Sequence, residues 1–166
     1  MLEREAKVYE ALEALGIAYE RFVHEAAYTM QDLEELDARI GAQHCKNLFL
    51  ANTQGYYLLM IGAGKKFVTK QVSPQVPTSR LSFGSEEKLL ELLGMSGGAI
   101  SPMGLINDTG YRVRLLIDDD LKEGSVVVHP NVNTASIVLS LADFYSVFLP
   151  HYGYEPQFVS IPGGNE

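Results

Sequence analysis

Residues 41–62, GAQHCKNLFLANTQGYYLLMIG, decide the fold of this chain. Two short apolar runs, Asn47–Ala51 and Tyr56–Ile61, flank the polar, glycine-containing segment Asn52–Gly55. Two apolar runs joined by such a loop are typical of a β-hairpin. Lys46 stands at the start of the first run, where its stem would be packed and its ammonium held at the strand end. A lysine at a strand end also commonly extends into solvent without any function, so its position alone leaves both interpretations open.

The rest of the sequence carries helix and strand signals that are interspersed without a regular β-α-β alternation. Apolar periodicity and capping residues predict helices at residues 2–15, about 30–40, after Ser85, and from Ser140 to Phe148 with a stop at Pro150. Short apolar runs predict strands at residues 17–24, 66–68, 80–83, 113–117, 125–128, 135–139 and 157–161. This mixture predicts a single α+β domain over residues 1–166, with a mixed and strongly curved sheet.

Composition is that of an ordinary globular protein. Apolar residues make up 46% and charged residues 20% of the 166 positions. No apolar run approaches the roughly 18 residues that a membrane span needs, and the charged, amphipathic N-terminus is unlike a signal peptide. The single cysteine, Cys45, excludes an internal disulfide framework and fits a reducing compartment. We therefore expect a cytoplasmic protein with no membrane partner.

Charge is distributed unevenly along the chain. The formal net charge of −8 is unlike that of a general nucleic-acid binder. From Ala38 to Ser85, however, there is no Asp or Glu, while six basic residues lie there: Arg39, Lys46, Lys65, Lys66, Lys70 and Arg80. The remainder of the chain is strongly acidic. Acidic residues are also scarce in strands generally, but that does not explain the basic cluster after the hairpin, so we expect one face to meet an anionic ligand.

Several common catalytic schemes do not fit this sequence. There is no G-x-S-x-G nucleophile motif and no evident carboxylate pair. His44 and Cys45 are adjacent, so on a strand they would face opposite sides and could not act as base and nucleophile. The four histidines, at positions 24, 44, 129 and 151, lack metal-ligand spacing. An enzyme built from these residues would work by positioning and electrostatics, and we expect neither a metal nor another cofactor.

Two further motifs invite a functional interpretation that their context disfavours. Gly62–Lys65 (GAGK) resembles a phosphate-binding loop, but it lacks the spacing and the Lys-Ser/Thr ending, and no helix pattern follows. The three aspartates Asp118–Asp120 suggest a metal site, but consecutive residues cannot all point in one direction. We therefore interpret both segments as turns.

A set of polar residues and glycines remains, at predicted strand ends and in a Gly-rich loop. Its members are Lys46, Asn47, Gly98, Ser101, Gly104, His129 and Asn131. Backbone N–H groups of the loop can hold a carbonyl oxygen or an oxyanion, since glycine lets a ligand approach closely. Histidine can donate or accept a proton near neutral pH. Each residue taken alone also has an ordinary structural interpretation, such as a turn for His129-Pro130-Asn131.

Taken together, these residues resemble the YbaK/prolyl-tRNA-synthetase-associated editing-domain family. The resemblance covers nearly the whole chain and is carried, in the family's order, by Lys46-Asn47-Leu48-Phe49-Leu50, Arg80-Leu81-Ser82-Phe83, Gly98-Ala99-Ile100-Ser101-Pro102-Met103-Gly104-Leu105, and His129-Pro130-Asn131-x-Asn133-Thr134. The last motif is most similar to the free-standing branch that deacylates Ala-tRNA(Pro). The resemblance implies a YbaK-like fold, with a curved, mixed, partly barrel-like sheet flanked by helices, and a reaction that hydrolyses a mischarged aminoacyl-tRNA.

The resemblance also implies roles for individual residues. Lys46 would contact the terminal adenosine's phosphate or the aminoacyl ester, Gly98 would donate its backbone N–H to the carbonyl, and His129 would help to shape the site. Substrate-binding positions implied in this way, or through the volume of the pocket, are Asn47, Met30, Ser101, Met103, Gly104, Asn131 and Asn133. The basic side chains of Lys65, Lys66, Lys70 and Arg80 would form the tRNA-binding face. The substrate's own 2′-hydroxyl would help to activate water, which agrees with the lack of a visible nucleophile.

The sequence leaves open which mischarged amino acid is removed. Alanine is a plausible target because a synthetase pocket rejects a smaller side chain poorly, a missing methylene being worth only about 1–3 kcal/mol. Cys- or Ser-tRNA would use the same chemistry, and a non-catalytic tRNA- or protein-binding paralogue would retain the same fold. The partner that we expect is the aminoacylated end of tRNA, with prolyl-tRNA synthetase as a further candidate.

Overall fold

The computed structural model describes residues 1–25, 43–76 and 79–163. Its α-helical segments are α1 (Glu3–Ala14), α2 (Thr69–Val72), α3 (Glu86–Leu93), α4 (Leu141–Asp143) and α5 (Leu149–Tyr152), with 3₁₀ segments at Ser73–Gln75, Gly97–Ala99 and Pro102–Asn107. Its strands are β1 (Glu20–Val23), β2 (Gln43–Asn52), β3 (Gly55–Gly62), β4 (Ser82–Phe83), β5 (Val113–Asp118), β6 (Ser125–Val128), β7 (Ala135–Ser140) and β8 (Gln157–Val159).

These strands form a mixed eight-stranded sheet in the order β1-β7-β6-β2-β3-β5-β8, with β4 paired to β2. The pairs β1–β7, β6–β7, β2–β3 and β2–β4 are antiparallel, while β2–β6, β3–β5 and β5–β8 are parallel. The predicted α+β class with a mixed sheet is confirmed.

The predicted hairpin is the centre of this sheet. Asn52 faces Gly55 across the turn, and its side-chain Oδ1 accepts hydrogen bonds from the backbone N–H groups of Gln54 and Gly55. This Asx-type bonding explains why the polar segment turns at that point. β3 lies between β2 and β5, and residues Tyr57–Ile61 have no exposed surface. A strand buried on both faces requires the continuous apolar run that the sequence shows.

Apolar side chains pack on both faces of the sheet. One cluster joins the hairpin to α1, α3 and the C-terminal helical region through residues such as Leu58, Leu12, Leu92 and Phe148. The second cluster, on the opposite face, contains Leu50, Leu59 and Ile61 from the hairpin, with Val72 and Leu81 from the segment that follows it. The hairpin therefore contributes alternate side chains to two separate cores.

Helix ends follow the capping residues that the sequence offers. The hydroxyl of Ser85 accepts a hydrogen bond from the Lys88 N–H at 3.1 Å, and Gly94 ends α3 with a φ of +69°. Ser140 caps the start of α4 in the same way.

The prediction that Pro150 ends the last helix is wrong, because helical structure continues to Tyr152. A π-helical stretch at Phe144–Phe148 runs without a break into α5, and Pro150 is the second residue of α5. The helix therefore continues past a proline that follows directly on an irregular, widened turn.

The predicted strand at residues 66–68 is absent, and the chain enters the short helix α2 instead. Both edges of β3 are already paired, so the chain leaving its end finds no free neighbour there. Strands β1, β4 and β8 are shorter than predicted, while the predicted helix at 30–40 lies outside the described residues. In the part of the chain that is described, no helix combines the length and apolarity needed to cross a bilayer.

Candidate functional site

The candidate site lies at an interruption in the pairing of β2. One edge of β2 pairs with β3 from Cys45 to Asn52. The other edge pairs with β6 only at Gln43 and His44, and with β4 only at Leu50 and Ala51. Within the described ranges, residues 45–49 have no strand beside them on that edge. Lys46 and Asn47, which the sequence singled out, both lie in this gap.

Strand alternation sends Lys46 and Asn47 to opposite faces of the sheet. Lys46 shares a face with Leu48 and Leu50, which belong to one apolar cluster, whereas Asn47 shares a face with Cys45 and Phe49, which belong to the other. The ammonium of Lys46 donates a hydrogen bond to the backbone carbonyl of Lys65. Lys46, at the predicted end of the hairpin, therefore connects β2 to the segment that follows β3.

Asn47 and His129 line one small cavity. The cavity has a volume of about 40 Å³, is partly open, and is lined by His44, Cys45, Asn47, Val127, Val128, His129 and Ser136. Asn47 donates a hydrogen bond to the Cys45 sulfur at 3.8 Å, but its buried Oδ1 has no hydrogen-bond partner among the described residues. Parallel pairing of β2 with β6 brings these residues together from opposite halves of the chain.

The hydrogen bonding of His129 determines which ring nitrogen carries the proton when the ring is neutral. Its Nδ1 lies 2.9 Å from the carbonyl oxygen of Ala135, which can only accept, so Nδ1 carries a proton and Nε2 offers a lone pair. Burial lowers the pKa of His129. The Ala135 hydrogen bond opposes that effect, and the neighbouring rings of His24 and His44 lower the pKa further. His129 is therefore a proton acceptor at neutral pH.

Asn131 occupies an unusual environment two residues further on. It has no exposed surface, its backbone has a φ of +63°, and neither polar atom of its side-chain amide has a partner in the described structure. Asparagine tolerates this left-handed conformation better than most residues do. A buried amide without a hydrogen bond costs free energy, so Asn131 is a candidate for binding a polar group of a substrate.

The Gly-rich loop divides into an exposed part and a packed part. Gly98 is exposed, and a Cβ at this position would lie 3.2 Å from Nδ2 of Asn133, so the structure brings these two predicted residues together. Ser101 is fully buried, and its hydroxyl caps the next 3₁₀ segment by accepting from the Met103 N–H. A Cβ on Gly104 would lie 2.1 Å from Cε of Met95. The described contacts of Ser101, Met103 and Gly104 are therefore structural, whereas Gly98 and Asn133 face one another at the surface.

The basic residues also divide into two groups. Lys65 was expected on the tRNA-binding face, but its ammonium lies 2.9 Å from Asp118, 2.5 Å from Asp120 and 2.8 Å from the Ile161 carbonyl. Burial alone would lower the pKa of Lys65, but the hydrogen bonds that its ammonium donates to Asp120 and Asp118 outweigh that effect and raise the pKa. Lys65 is therefore a largely buried ion-pair partner of Asp118 and Asp120, and its ammonium is not available on an exposed tRNA-binding face.

Lys66, Lys70 and Arg80 remain exposed. Lys70 and Arg80 line a concave surface of about 370 Å³ with Thr69, Ser73 and Pro74. Met30, which the sequence predicted as a substrate-binding residue, lies outside the described residues.

Sequence reasoning did not single out His24, Cys45 or Ser136 as parts of the site. Nε2 of His24 lies 2.8 Å from the Ser136 hydroxyl, and the His24 and His129 ring centroids are 6.1 Å apart. Burial raises the pKa of the Cys45 thiol to about 12, so this thiol is not a nucleophile at neutral pH. Only the pairing of β1 with β7 brings His24 here, and no local sequence signal records that pairing.

Comparison with known proteins agrees with this arrangement. Residues 24–146 match the profile of the aminoacyl-tRNA editing domain. The chain is 33% identical over 149 residues to the prolyl-tRNA editing protein ProX of Acetoanaerobium sticklandii, covering 88% of this chain and 91% of that protein. It is 29% identical over 161 residues to prolyl-tRNA synthetase associated domain-containing protein 1 of Bos taurus, covering 93% of each chain.

Solved structures share the fold. A crystal structure provisionally described as a trans-editing enzyme for prolyl tRNA synthetase superposes with a TM-score of 0.72 at 17% identity, over 96% of this chain and 98% of that one. The predicted family and its enzyme class, hydrolysis of an aminoacyl-tRNA ester, are confirmed by these matches. The chain belongs to the family of aminoacyl-tRNA editing domains, whose YbaK-like fold the sequence predicted.

Proposed function

We propose that this chain hydrolyses mischarged Ala-tRNA(Pro) in trans, releasing alanine and free tRNA. The observation that carries the proposal is the small cavity shared by Asn47 and His129 beside the gap in β2. Its volume of about 40 Å³ suits a few water-sized groups, since each buried water needs roughly 10–15 Å³. A methyl side chain with its attacking water fits that scale, whereas a large side chain does not.

The tRNA identity in this proposal rests on similarity. The names of the relatives associate them with prolyl-tRNA editing or with prolyl-tRNA synthetase. We extend that association to this chain, with the aminoacyl end of tRNA(Pro) as its partner. The small volume of the cavity and the His129-Pro130-Asn131 motif support alanine as the amino acid that is released.

The chemistry that the residues support is ester hydrolysis by positioning. A water oxygen attacks the ester carbonyl carbon, the bond to the ribose oxygen breaks, and the water's proton passes to that leaving oxygen. The neutral Nε2 of His129 can accept a hydrogen bond from the attacking water or from the ribose hydroxyl. Lys46 and the exposed backbone at Gly98 would stabilise the negative charge that develops on the carbonyl oxygen.

The test is the initial rate of amino-acid release from Ala-, Pro-, Cys- and Ser-tRNA(Pro), each corrected for uncatalysed hydrolysis. Release of alanine well above the other three supports the proposal. Preference for cysteine or serine would keep the reaction and change the substrate. Binding of tRNA without release of any amino acid would instead identify a non-catalytic paralogue.

A further inference from the structure

Two phenylalanines form an apolar surface that the candidate site does not use. The ring of Phe83 is 68% exposed, and it meets the ring of Phe67 edge to face at a centroid distance of 5.8 Å. Val68 beside them is also exposed. Single exposed apolar residues are common on proteins, but paired aromatic rings at the surface often mark a binding site. We call Phe67 and Phe83 the phenylalanine platform.

The platform is held by a fixed framework. Phe83 faces Leu50 across the β2–β4 pair, and the N–H of Gly84 donates to the Phe49 carbonyl at 2.9 Å. Leu81, two residues before Phe83, is buried, and its backbone polar groups form hydrogen bonds with the hydroxyls of Thr69 and Ser73. The exposed ring of Phe83 is therefore positioned by the sheet and by α2.

Positive charge surrounds the platform. Lys66 and Lys70 lie on the segment that carries Phe67, and Arg80 lies on the segment that carries Phe83. None of these three cations forms a salt bridge with a carboxylate in the described ranges, whereas Lys65, Lys88 and Arg112 do. Lys70 and Arg80 share one concave surface. Phe83 is exposed, and Phe67 beside it is half-buried. Aromatic rings at a surface among cations that lack carboxylate partners are the chemistry that binds single-stranded nucleic acid, since bases stack on the rings and phosphates pair with the cations.

The platform lies on the same face of β2 as Lys46. Lys46, Leu48 and Leu50 alternate onto one face, and Phe83 is the direct partner of Leu50. Four residues along a strand span about 13 Å. A strand of unpaired nucleotides that ends beside Lys46 would therefore cross the platform, with its terminal ester at the gap in β2. The aminoacyl group would pass the unpaired edge of β2 at residues 45–49 to reach Asn47 and His129 on the opposite face.

We propose that Phe67 and Phe83 stack with the unpaired bases at the 3′ end of the tRNA, while Lys66, Lys70 and Arg80 bind the neighbouring phosphates. This inference rests on the proposed function, because it requires an aminoacylated RNA end. It goes beyond that function in assigning a binding surface for the single-stranded segment.

The test compares two RNA hairpins with the same acceptor-stem sequence, one bearing its unpaired 3′ nucleotides and one ending flush. Binding is measured by fluorescence anisotropy at one fixed salt concentration for the wild type, Phe83→Leu, Phe83→Tyr and Leu90→Ala. Leu90, on α3, is 61% exposed and serves as the matched surface control. The leucine variant retains apolar area without an aromatic face, and the tyrosine variant retains the face.

The wild type should bind the tailed hairpin more tightly than the flush one. Phe83→Leu should weaken binding of the tailed hairpin roughly 5- to 100-fold and leave the flush hairpin unchanged, because stacking contributes per unpaired base. Phe83→Tyr and Leu90→Ala should bind both hairpins like the wild type. Thermal unfolding of each variant confirms that the fold is retained.

Equal binding of the two hairpins by the wild type would overturn the platform, as would equal losses on both hairpins in Phe83→Leu. Normal RNA binding by Phe83→Leu would also overturn the proposal, and it would favour a protein as the partner of this surface. These outcomes are separate from a failure of the proposed function, which would appear as absence of hydrolysis by the wild type. Binding that depends on the unpaired tail can be measured whether or not the wild type hydrolyses its substrate.

Discussion

The ammonium nitrogen of Lys65 lies 2.9 Å from Oδ1 of Asp118, a carboxylate with no exposed surface. The other oxygen of Asp118 accepts a hydrogen bond from the Gly62 N–H at 3.0 Å. The carbonyl of Lys65 in turn accepts from the ammonium of Lys46. The end of β5, the end of β3 and the start of β2 are therefore joined through one lysine, and that junction supports the residue to which we assign a role in hydrolysis.

Breaking this junction should destabilise the fold. Asp118→Ala leaves the largely buried ammonium of Lys65, whose side chain is 11% exposed, without its buried partner. Removal of one partner from a buried ion pair typically costs about 3–5 kcal/mol. Asp120→Ala is the matched control, because Asp120 contacts the same ammonium but is 72% exposed, and a surface pair contributes only about 0–1 kcal/mol. Urea denaturation would measure both losses, and similar values for the two variants would contradict the assignment.

Lys46→Ala should abolish most deacylation and leave the fold intact. Its ammonium makes a single described hydrogen bond, to a backbone carbonyl, so its loss removes little packing. Removal of one donor that stabilises a developing oxyanion typically lowers the rate about 100- to 1,000-fold. Lys88→Ala is the control, since Lys88 forms an ion pair with Glu91 on the surface of α3, away from the candidate site. The measurement is single-turnover release of alanine, and an undiminished rate in Lys46→Ala would remove this lysine from the mechanism.

The parts of the fold that could be predicted from the sequence are those fixed by interactions between residues close together in the chain. Asn52 and Gly55 turn the hairpin through hydrogen bonds within four residues, and Ser85 and Gly94 delimit α3 by capping its own ends. The prediction at Pro150 failed because the helix continues through the preceding π-helical stretch and past the proline, and no local signal in the sequence predicts that stretch. Whether residues 66–68 form a strand depends on whether β3 has a free edge, and that is a property of the whole sheet.

The candidate site shows the same division. Lys46 and Gly98 stand in motifs that are recognisable in sequence, but the shared cavity of Asn47 and His129 exists only because β2 pairs with β6. Charge counting placed Lys65 on a tRNA-binding face, whereas Asp118, 53 positions away, holds it internally. Counting charges along a sequence cannot distinguish a surface cation from the partner of a buried carboxylate.

Lys70 and Arg80 should account for part of the salt dependence of tRNA binding. Each phosphate contact that is lost reduces the slope of log K against log salt by about 0.7 to 0.9. The double variant Lys70→Ala/Arg80→Ala should therefore lower the slope by roughly 1.5 and weaken binding at low salt. Lys88→Ala should leave the slope unchanged. Titrations at several salt concentrations provide the test, and an unaltered slope in the double variant would exclude these residues from phosphate binding.

The pH profile of deacylation should reflect His129. Burial lowers the pKa of His129, so its ring binds a proton only below the usual value of about 6.5. The folded state then binds fewer protons than the unfolded state, and both stability and activity should fall as the pH drops through the lowered pKa. His129→Asn should lose this acid limb of the rate profile. An NMR titration of the ring gives the pKa directly, and a ring that is protonated at pH 7 would contradict the expectation.

Asn131 offers a test that separates the backbone from the side chain. Asn131→Gly and Asn131→Ala remove the same buried amide, but only glycine adopts the observed φ of +63° without a steric penalty. The glycine variant should therefore be about 1–2 kcal/mol more stable than the alanine variant. If the unpaired amide binds the aminoacyl group, both variants should lose deacylation to a similar extent despite this difference. Activity that instead follows stability, with Asn131→Gly close to the wild type, would show that Asn131 only shapes the loop.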